Sequence, residues 1–410
     1  MRIAIFSHAH PNFSKGGGEI AAYSLFEGIN ALPGHEAWFI GRAEQQMLHL
    51  GSPVASLNER EYLIGGNADI PRLSATIALG EDSDFADMLR TIDPDVIHFH
   101  HYVFLGLEMI HAAKRVCPRA KIVLTLHEFI GICLNSGQMI KTDGRLCYRS
   151  SPRECHGCFP QTSMEDIFLR EVYVKSFFDL VDTFVSPSDF LKDRYVAWGL
   201  SADKVIVIEN GLEDGERVPP RRLNEGQGRG RFAYFGQINH FKGIDLILEA
   251  FLGLPKAVRK QVSLDIYGSG LEHQSADFRE KVSDLLKRAE KQAEGMVRFH
   301  GAYEREELGG LMSGVDWVVM GSKWWENSPV VIQEAYKYGR PVICPDIGGM
   351  AEKVQPGRGG LNFRARDSLS LQNLIVDITE GQVDYDGLIR DMPSFLRQSD
   401  CAEAHLKLYH

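Results

Sequence analysis

Short apolar runs rich in β-branched residues recur at Ile3–Phe6, Ala37–Ile40, Val96–Phe99, Ile122–Leu126, Thr183–Ser186 and Val205–Ile208. Most are separated by stretches whose apolar residues return every three or four positions, as in Ile20–Leu32, Phe85–Ile92, Leu107–Val116 and Ile167–Leu180. The first pattern predicts strands and the second amphipathic helices. Apolar strands alternating with helices predict a parallel sheet covered on both faces. The series restarts with Phe232–Phe235, Leu264–Tyr267, Val297–Phe299, Trp317–Met320 and Val342–Cys344, interleaved with Ile244–Leu252, Ala276–Ala293, Glu304–Met312 and Val330–Tyr338. Between the two series, Gly211–Gly230 has no apolar period and is rich in Gly, Pro and Arg, including Arg217, Arg221, Arg222 and Arg229. That composition predicts a solvated linker, with an anionic acceptor as the alternative contact of its Arg cluster. The predicted fold is α/β. A doubly wound domain spans 1–208, a linker 209–230, a second doubly wound domain 231–390, and a closing helical segment lies within 391–410.

Length and charge narrow the function classes. At 410 residues the chain exceeds what one α/β core usually holds, and its 44% hydrophobic residues suffice for two. A net charge of −10 argues against a whole-molecule nucleic-acid binder. The segment Met1–Ser7 has one basic residue and a short apolar run, which predicts a buried strand rather than a signal peptide. No apolar stretch reaches the ~18–20 residues needed to span a bilayer. The expectation is a cytoplasmic protein whose membrane contact is at most peripheral.

In open α/β sheets, ligands sit beyond the carboxyl ends of the strands. The first strand ends in Ser7-His8-Ala9-His10, followed by Gly16-Gly17-Gly18-Glu19 at the start of a helix. The amides of Gly17 and Gly18, aided by the helix dipole, suit a phosphate, with a flexible turn as the alternative. The glycines match neither the dinucleotide fingerprint nor a P-loop, whose Lys would follow the glycines, whereas Lys15 precedes them. A second glycine turn, Gly268-Ser269-Gly270, predicts another close backbone approach. In Trp324-Trp325-Glu326-Asn327-Ser328-Pro329-Val330-Val331, Ser328 is the expected N-cap and Pro329 the first helical residue, with Gly339 ending the helix. Glu326 then stands at the mouth of a site and Glu334 inside the helix, while the amides of Val330 and Val331 suit a phosphate. Lys242, in Phe235-Gly236-Gln237-Ile238-Asn239-His240-Phe241-Lys242-Gly243, brings a positive charge to the same strand ends. Tyr303, Trp324 and Trp325 are candidate aromatic walls.

Together these segments resemble the family four glycosyltransferases, retaining enzymes of the GT-B fold. The matching pieces occur in order: Gly16-Gly17-Gly18-Glu19, Asp95-Val96-Ile97-His98-Phe99-His100, Thr125-Leu126-His127-Glu128, Ile208-Glu209-Asn210-Gly211, Phe235-Gly236 with Lys242-Gly243, and Glu326-x7-Glu334 followed by Gly339-Arg340-Pro341. The resemblance implies two Rossmann-like domains facing a cleft, the first shaping the acceptor site and the second holding a UDP- or GDP-sugar. It also implies a last helix that crosses back to the first domain. By position, Glu334 would hold the ribose hydroxyls, Glu326 the donor sugar, and Lys242 the diphosphate. Gly17 and Gly18 would face that diphosphate, and His127 would approach the sugar. The implied reaction is transfer with retention to a glycan or lipid-linked acceptor, without a catalytic metal. Related alternatives are a sugar-nucleotide epimerase and a degenerate transferase that only binds sugar. One slot departs from the family, which usually has Arg where this chain has Gln237. An amide loses the charged fork of Arg, so Lys242 must suffice or Arg305 or Arg340 must substitute.

Two further clusters invite a metal. His98 and His100 share a strand face, although lining the acceptor side with Asp95, or simple packing, is the stronger expectation. Cys133, Cys147, Cys155 and Cys158 fall within a loop at 128–160, and Cys155-His156-Gly157-Cys158 is a C-x2-C pair. They are candidates for a structural zinc, with thiols or a disulfide as the alternative. Cys117, Cys344 and Cys401 read as small apolar residues.

Overall fold

The computed structural model describes residues 1–14, 16–44, 52–65, 68–69 and 73–410, so Lys15 lies outside the described residues. The chain divides into two compact units, Met1–Glu213 with Leu396–His410, and Asp214–Phe395.

In the first unit the strands are β1 (Arg2–Ser7), β2 (Glu36–Arg42), β3 (Val54–Ser56), β4 (Glu61–Ile64), β5 (Val96–Phe99), β6 (Lys121–Thr125), β7 (Thr183–Ser186) and β8 (Val205–Val207). Their order is β8-β7-β6-β5-β1-β2-β4-β3, parallel except for β3 against β4. Strands β5 and β6 are buried along almost their whole length, as their continuous apolar runs require. The edge strand β3 and its neighbour β4 were not predicted, because Val54-Ala55-Ser56 and Glu61-Tyr62 are partly exposed and carry no continuous apolar run. The helices α1 (Gly17–Asn30) and α2 (Met164–Phe178) belong to this unit. After β4 the chain crosses to the other side of β1 to place β5, so a crevice opens between the ends of β1 and β5.

The second unit has β9 (Arg231–Phe235), β10 (Ser263–Tyr267), β11 (Val297–Gly301), β12 (Trp317–Val319), β13 (Val342–Pro345), β14 (Gln355–Pro356) and β15 (Gly359–Phe363). They pair in parallel in the order β11-β10-β9-β12-β13-β15-β14, and the order reverses between β9 and β12. Alternate residues feed two cores, Phe232, Leu264 and Trp317 on one face, Ala233, Phe235 and Val318 on the other. Strand β15 escapes the apolar pattern through Gly359, Gly360 and Asn362. A Cβ on Gly360 would collide with the Val342 carbonyl, so the close strand approach needs glycine there. The helices α3 (Ile244–Gly253) and α4 (Val330–Lys337) flank the reversal.

The linker is not simply solvated. Arg221 and Arg229 reach the fully buried carboxylate of Asp316 at 2.8 and 3.3 Å, and Arg340 binds the carbonyls of Val218 and Pro219 at 2.9 and 3.1 Å. Much of the segment is therefore pinned to the second unit. At its other end the chain rejoins the first unit, where Leu212 and Leu396–Gln398 exchange backbone hydrogen bonds of 2.9 and 2.7 Å. The last helix, α5 (Gln398–Tyr409), packs on α1 at Gly28, where a Cβ would stand 3.1 Å from Ala402 and Gln398.

Candidate active site

In the second unit the polar groups gather where strand order reverses. Beyond β9, Gly236 (φ +142°) starts a loop that ends in a short 3-10 turn, His240–Lys242. Asn239 caps that turn, its Oδ1 accepting from the amides of Phe241 and Lys242, each at 3.0 Å. Gly243, at φ +67°, redirects the chain into α3, and a Cβ there would collide with the Gly321 carbonyl. The turn thereby aims Lys242 at the segment beyond β12. Its ammonium meets Glu326 Oε1 at 2.7 Å, and the same oxygen accepts from Ser322 Oγ at 2.8 Å and Trp324 Nε1 at 2.9 Å. Phe241 stacks on Trp324, joining the two loops.

Burial pushes the Glu326 carboxyl upward, but Lys242 and the two neutral donors outweigh it and hold the group below its ordinary value. Its second oxygen, Oε2, accepts from no described residue and is available to a ligand hydroxyl. Glu334 sits in α4 and receives no hydrogen bond at its carboxylate from a described residue. Burial raises its pKa, against the opposing charges of Arg305 and Lys337. Tyr234 feels the charge of Glu326, and Tyr303 that of Glu334. At the start of α4 the amides of Val330 and Val331 donate to no described residue.

Several expectations need correction. Helix α4 starts at Val330 with Pro329 as N-cap, because Pro329 keeps ψ at 118°, outside the helical region. Ser328 therefore precedes the cap. Arg340 cannot substitute for an Arg at Gln237, since its fully buried guanidinium is committed to the carbonyls of Met312, Val218, Gly339 and Pro219. Arg305 stays near Glu334, while Gln237 is exposed and its carbonyl accepts from Tyr234 Oη at 2.6 Å. The Gly268 turn makes a close approach to protein backbone, for a Cβ there would strike the Gly236 carbonyl. Trp325 is buried beside Gly348 and belongs to packing.

In the first unit the reversal between β1 and β5 collects imidazoles. His8 follows β1, His100 and His101 follow β5, and His127 lies two residues beyond β6. His100 Nδ1 and His127 Nε2 are 3.1 Å apart, and the His8 and His101 rings are 4.3 Å apart. Burial drives the His100 and His101 values well below the ordinary imidazole range, and that of His127 down to about 4. These rings are neutral near pH 7. The Nε2 of His100 is buried with no partner. An orphan lone pair costs less than an orphan N–H, so the His100 proton is assigned to Nδ1, facing His127.

The glycine turn opens α1 beside these rings. A Cβ on Gly18 would contact His8 and His127 at 3.5 and 3.8 Å, whereas one on Gly17 would meet nothing within 4 Å. Packing thus leaves the absence of a side chain at Gly17 unexplained, and the amides of Gly17 and Gly18 donate to no described residue. Glu19 is buried, but contacts from His8 at 3.3 Å and Ser14 at 2.7 Å outweigh that burial and bring its pKa down to about 2. His8, Glu19 and Ser322 were not given roles from sequence. A polar residue just after an apolar strand was their only available signal.

His98 and Asp95 do not line a site. His98 is held by Thr125 Oγ1 and Tyr409 Oη, each at 2.7 Å, and Asp95 accepts from the Arg2 amide at the opposite end of the strand. The cysteines Cys133, Cys147, Cys155 and Cys158 are close enough to bear on one another's ionisation. None of the seven cysteines is in a disulfide, and among the described residues no three His, Cys, Asp or Glu side chains are arranged to hold a metal. Cys155 and Cys158 share the helix Pro152–Cys158, Cys133 and Cys147 lie in the loop before it, and the sulfurs take local partners, Cys147 the Arg149 carbonyl at 3.3 Å and Cys155 the Ser150 hydroxyl at 3.2 Å. The arrangement does not fit a preformed zinc site.

Residues 15–216 match the family Glycosyltransferase Family 4, and residues 219–391 match Glycosyl transferases group 1. A glycogen synthase of Thermus thermophilus is 31% identical over 131 residues, covering 32% of this chain and 27% of that protein. The chain spans less than half the length of the glycogen synthases it matches. The GDP-mannose-dependent alpha-mannosyltransferase of Mycobacterium tuberculosis is 25% identical over 343 residues, 80% of this chain and 75% of its own. Among solved structures, Anabaena Alr3699/HepE in complex with UDP and glucose superposes with a TM-score of 0.64 at 17% identity, covering 100% of this chain and 99% of its own. At that identity the likeness concerns the fold. With the two matched regions together spanning most of its length and both sheets doubly wound, the chain has the GT-B fold, a region of the Glycosyltransferase Family 4 type followed by one of the Glycosyl transferases group 1 type.

Proposed function

We propose that the protein moves a sugar from a UDP- or GDP-sugar to a glycan or lipid-linked acceptor, with retention at the anomeric carbon. The observation that carries this reading is the Lys242–Glu326 pair beyond β9 and β12, with Oε2 of Glu326 left for a ligand. A departing diphosphate gains negative charge, and an oriented ammonium stabilises that charge more in the transition state than in the ground state. Lys242 serves the diphosphate together with the Val330 and Val331 amides, Glu326 accepts from a donor sugar hydroxyl, and Glu334 takes the ribose hydroxyls. In the first unit, Gly17 and Gly18 offer amides to a diphosphate, and His127 approaches the sugar. Both donor bases stay in the proposal, since one relative is named for GDP-mannose and one structural neighbour holds UDP.

A lipid-linked acceptor is supported by α2, which exposes Met164, Phe168, Leu169 and Val172. Three of them repeat at four-residue spacing, and such a stripe suits peripheral contact with the inner face of a membrane. No helix among the described residues is long and apolar enough to cross one. The test is release of nucleoside diphosphate from UDP-glucose and GDP-mannose, with and without membrane-extracted acceptors. Acceptor-dependent release, and its loss by about a hundredfold or more in Glu326→Ala, is the expected result. Full turnover by that variant would overturn the site assignment, and an altered sugar nucleotide formed without acceptor would make the protein an epimerase.

A further inference from the structure

The cations of the linker have no part in the donor site. Arg221, Arg231, Lys260 and Arg298, with Gly228 and Ser263, line a cavity of about 570 Å³ in the second unit. It opens at the amino ends of β9 and β10, where Arg231 and Ser263 are the first residues. The Lys242–Glu326 pair lies past the carboxyl end of β9, a whole strand away, roughly 15 Å at about 3.3 Å per residue. Ligands of open parallel sheets take the carboxyl end, so donor binding leaves this cavity unexplained.

Its charge balance is uneven. Asp316 accepts from Arg221 at 2.8 Å, Arg229 at 3.3 Å and the Arg231 amide at 3.0 Å. Asp265 pairs with Arg298 at 2.6 Å and contacts His300 at 2.7 Å. Of the four cations that line the cavity, Arg221, Arg231, Lys260 and Arg298, only Arg221 and Arg298 are thus paired with a carboxylate. Among the described residues no carboxylate pairs with Lys260, and the Arg231 guanidinium reaches only the Gly314 carbonyl, at 3.4 Å. This positive excess sits in a concavity of a chain whose net charge is −10. Asp316, fully buried, fixes the Arg221 fork in place, so part of the site is organised before any ligand arrives.

We propose that this cavity binds a phosphate-bearing anion, at a site distinct from the donor site, and that the bound anion fastens the linker onto the sheet. Planar guanidinium forks and an ammonium are the groups that recognise phosphate oxygens. A soluble phosphorylated compound and an anionic lipid headgroup share that chemistry.

The probe is sodium tripolyphosphate, titrated calorimetrically at constant ionic strength into wild type, Arg231→Ala/Lys260→Ala and Lys242→Ala. Both residues of the double variant are exposed and stand outside the donor machinery. Loss of two charged contacts should weaken binding about tenfold or more, while Lys242→Ala keeps a wild-type-like association. Donor hydrolysis by the double variant should stay at the wild-type rate, which shows that it is folded. Co-sedimentation with phosphatidylcholine vesicles holding roughly 30% phosphatidylglycerol, against phosphatidylcholine alone, separates the two sources. Capture of wild type but not of the double variant assigns a lipid headgroup, and tripolyphosphate binding without capture assigns a soluble anion. Unchanged binding by the double variant, loss of binding in Lys242→Ala alone, or no binding of either probe would overturn the proposal.

Discussion

The two units put opposite chemistry at equivalent places. Both sheets reverse strand order, and at both reversals the chain leaves polar side chains beyond the strand ends. In the second unit the result is an ion pair, Lys242 with Glu326, reinforced by Ser322 and Trp324. In the first it is a group of imidazoles, His8, His100, His101 and His127, of which burial keeps the last three neutral. The difference follows from what burial tolerates. A carboxylate taken out of water needs a cation and neutral donors together, whereas an imidazole can shed its proton and still donate one hydrogen bond and accept another. One unit thus holds charge against charge, and the other holds neutral rings that both donate and accept.

Removing the charged partner should have the largest effect. Lys242→Ala leaves Glu326 almost buried without its cation, and we expect ~3 kcal/mol of lost stability in urea unfolding and a fall of about 10²–10³ in turnover. Glu326→Gln should lose comparable turnover but less stability, because it leaves no buried charge. Equal stability of the two variants would break the contrast.

Acid should separate the units next. His98, His100 and His101 protonate in the folded state only well below 6.5, and His127 and His405 at about 4. The unfolded chain takes up those protons near 6.5. It therefore binds more protons as pH falls, and the first unit loses stability from pH 6.5 toward 4, by about 1.4 kcal/mol per pH unit for each excluded proton. Glu128 opposes this as a single group, its pKa raised by burial against the Ile130 amide and Arg170, so its contribution weakens as pH rises above 4.5. Glu326 has a depressed pKa, and its contribution is lost only below about 4.5. Hydrogen exchange at pH 7 and 5.5 should show amides of β5 and β6 losing protection before those of β9 and β12. Simultaneous loss would contradict this assignment.

Glycine replacements sharpen the comparison with a smaller effect. Gly17→Ala should leave unfolding within about 0.5 kcal/mol of wild type while raising the donor KM several-fold, since its Cβ enters open space. Gly243→Ala should lower stability by more than that, through the Gly321 carbonyl and the left-handed backbone. The smallest effect concerns His100. Asn can present an N–H near the position of Nδ1, so His100→Asn should retain several-fold more turnover than His100→Ala, with the difference in kcat rather than KM. Equal kcat would reduce His100 to packing.

Much of the fold was legible because buried parallel strands are short continuous apolar runs, as in Val96–Phe99 and Phe232–Phe235. The short strand β4 and the glycine-rich β15 were not, since partial exposure and close strand approach remove that signature. Within the site, Lys242 and Glu326 were readable as candidates, each on its own motif. Their direct pairing at 2.7 Å was not, because 84 residues separate them in sequence. Arg340 shows the converse. Its place after α4 made it a candidate for phosphate, yet its depth in the fold commits it to four carbonyls.

The sequence by itself determined the alternation of strand and helix, the two-part organisation and which chemical groups stand at strand ends, since these follow from local periodicity and short spacings. Tertiary structure alone decided which of those groups meet. Strand order sets which ends are neighbours, and burial decides whether a charge is paired, a proton discarded or an arginine consumed by backbone carbonyls. Those outcomes depend on surroundings assembled from distant segments, and no local pattern encodes them.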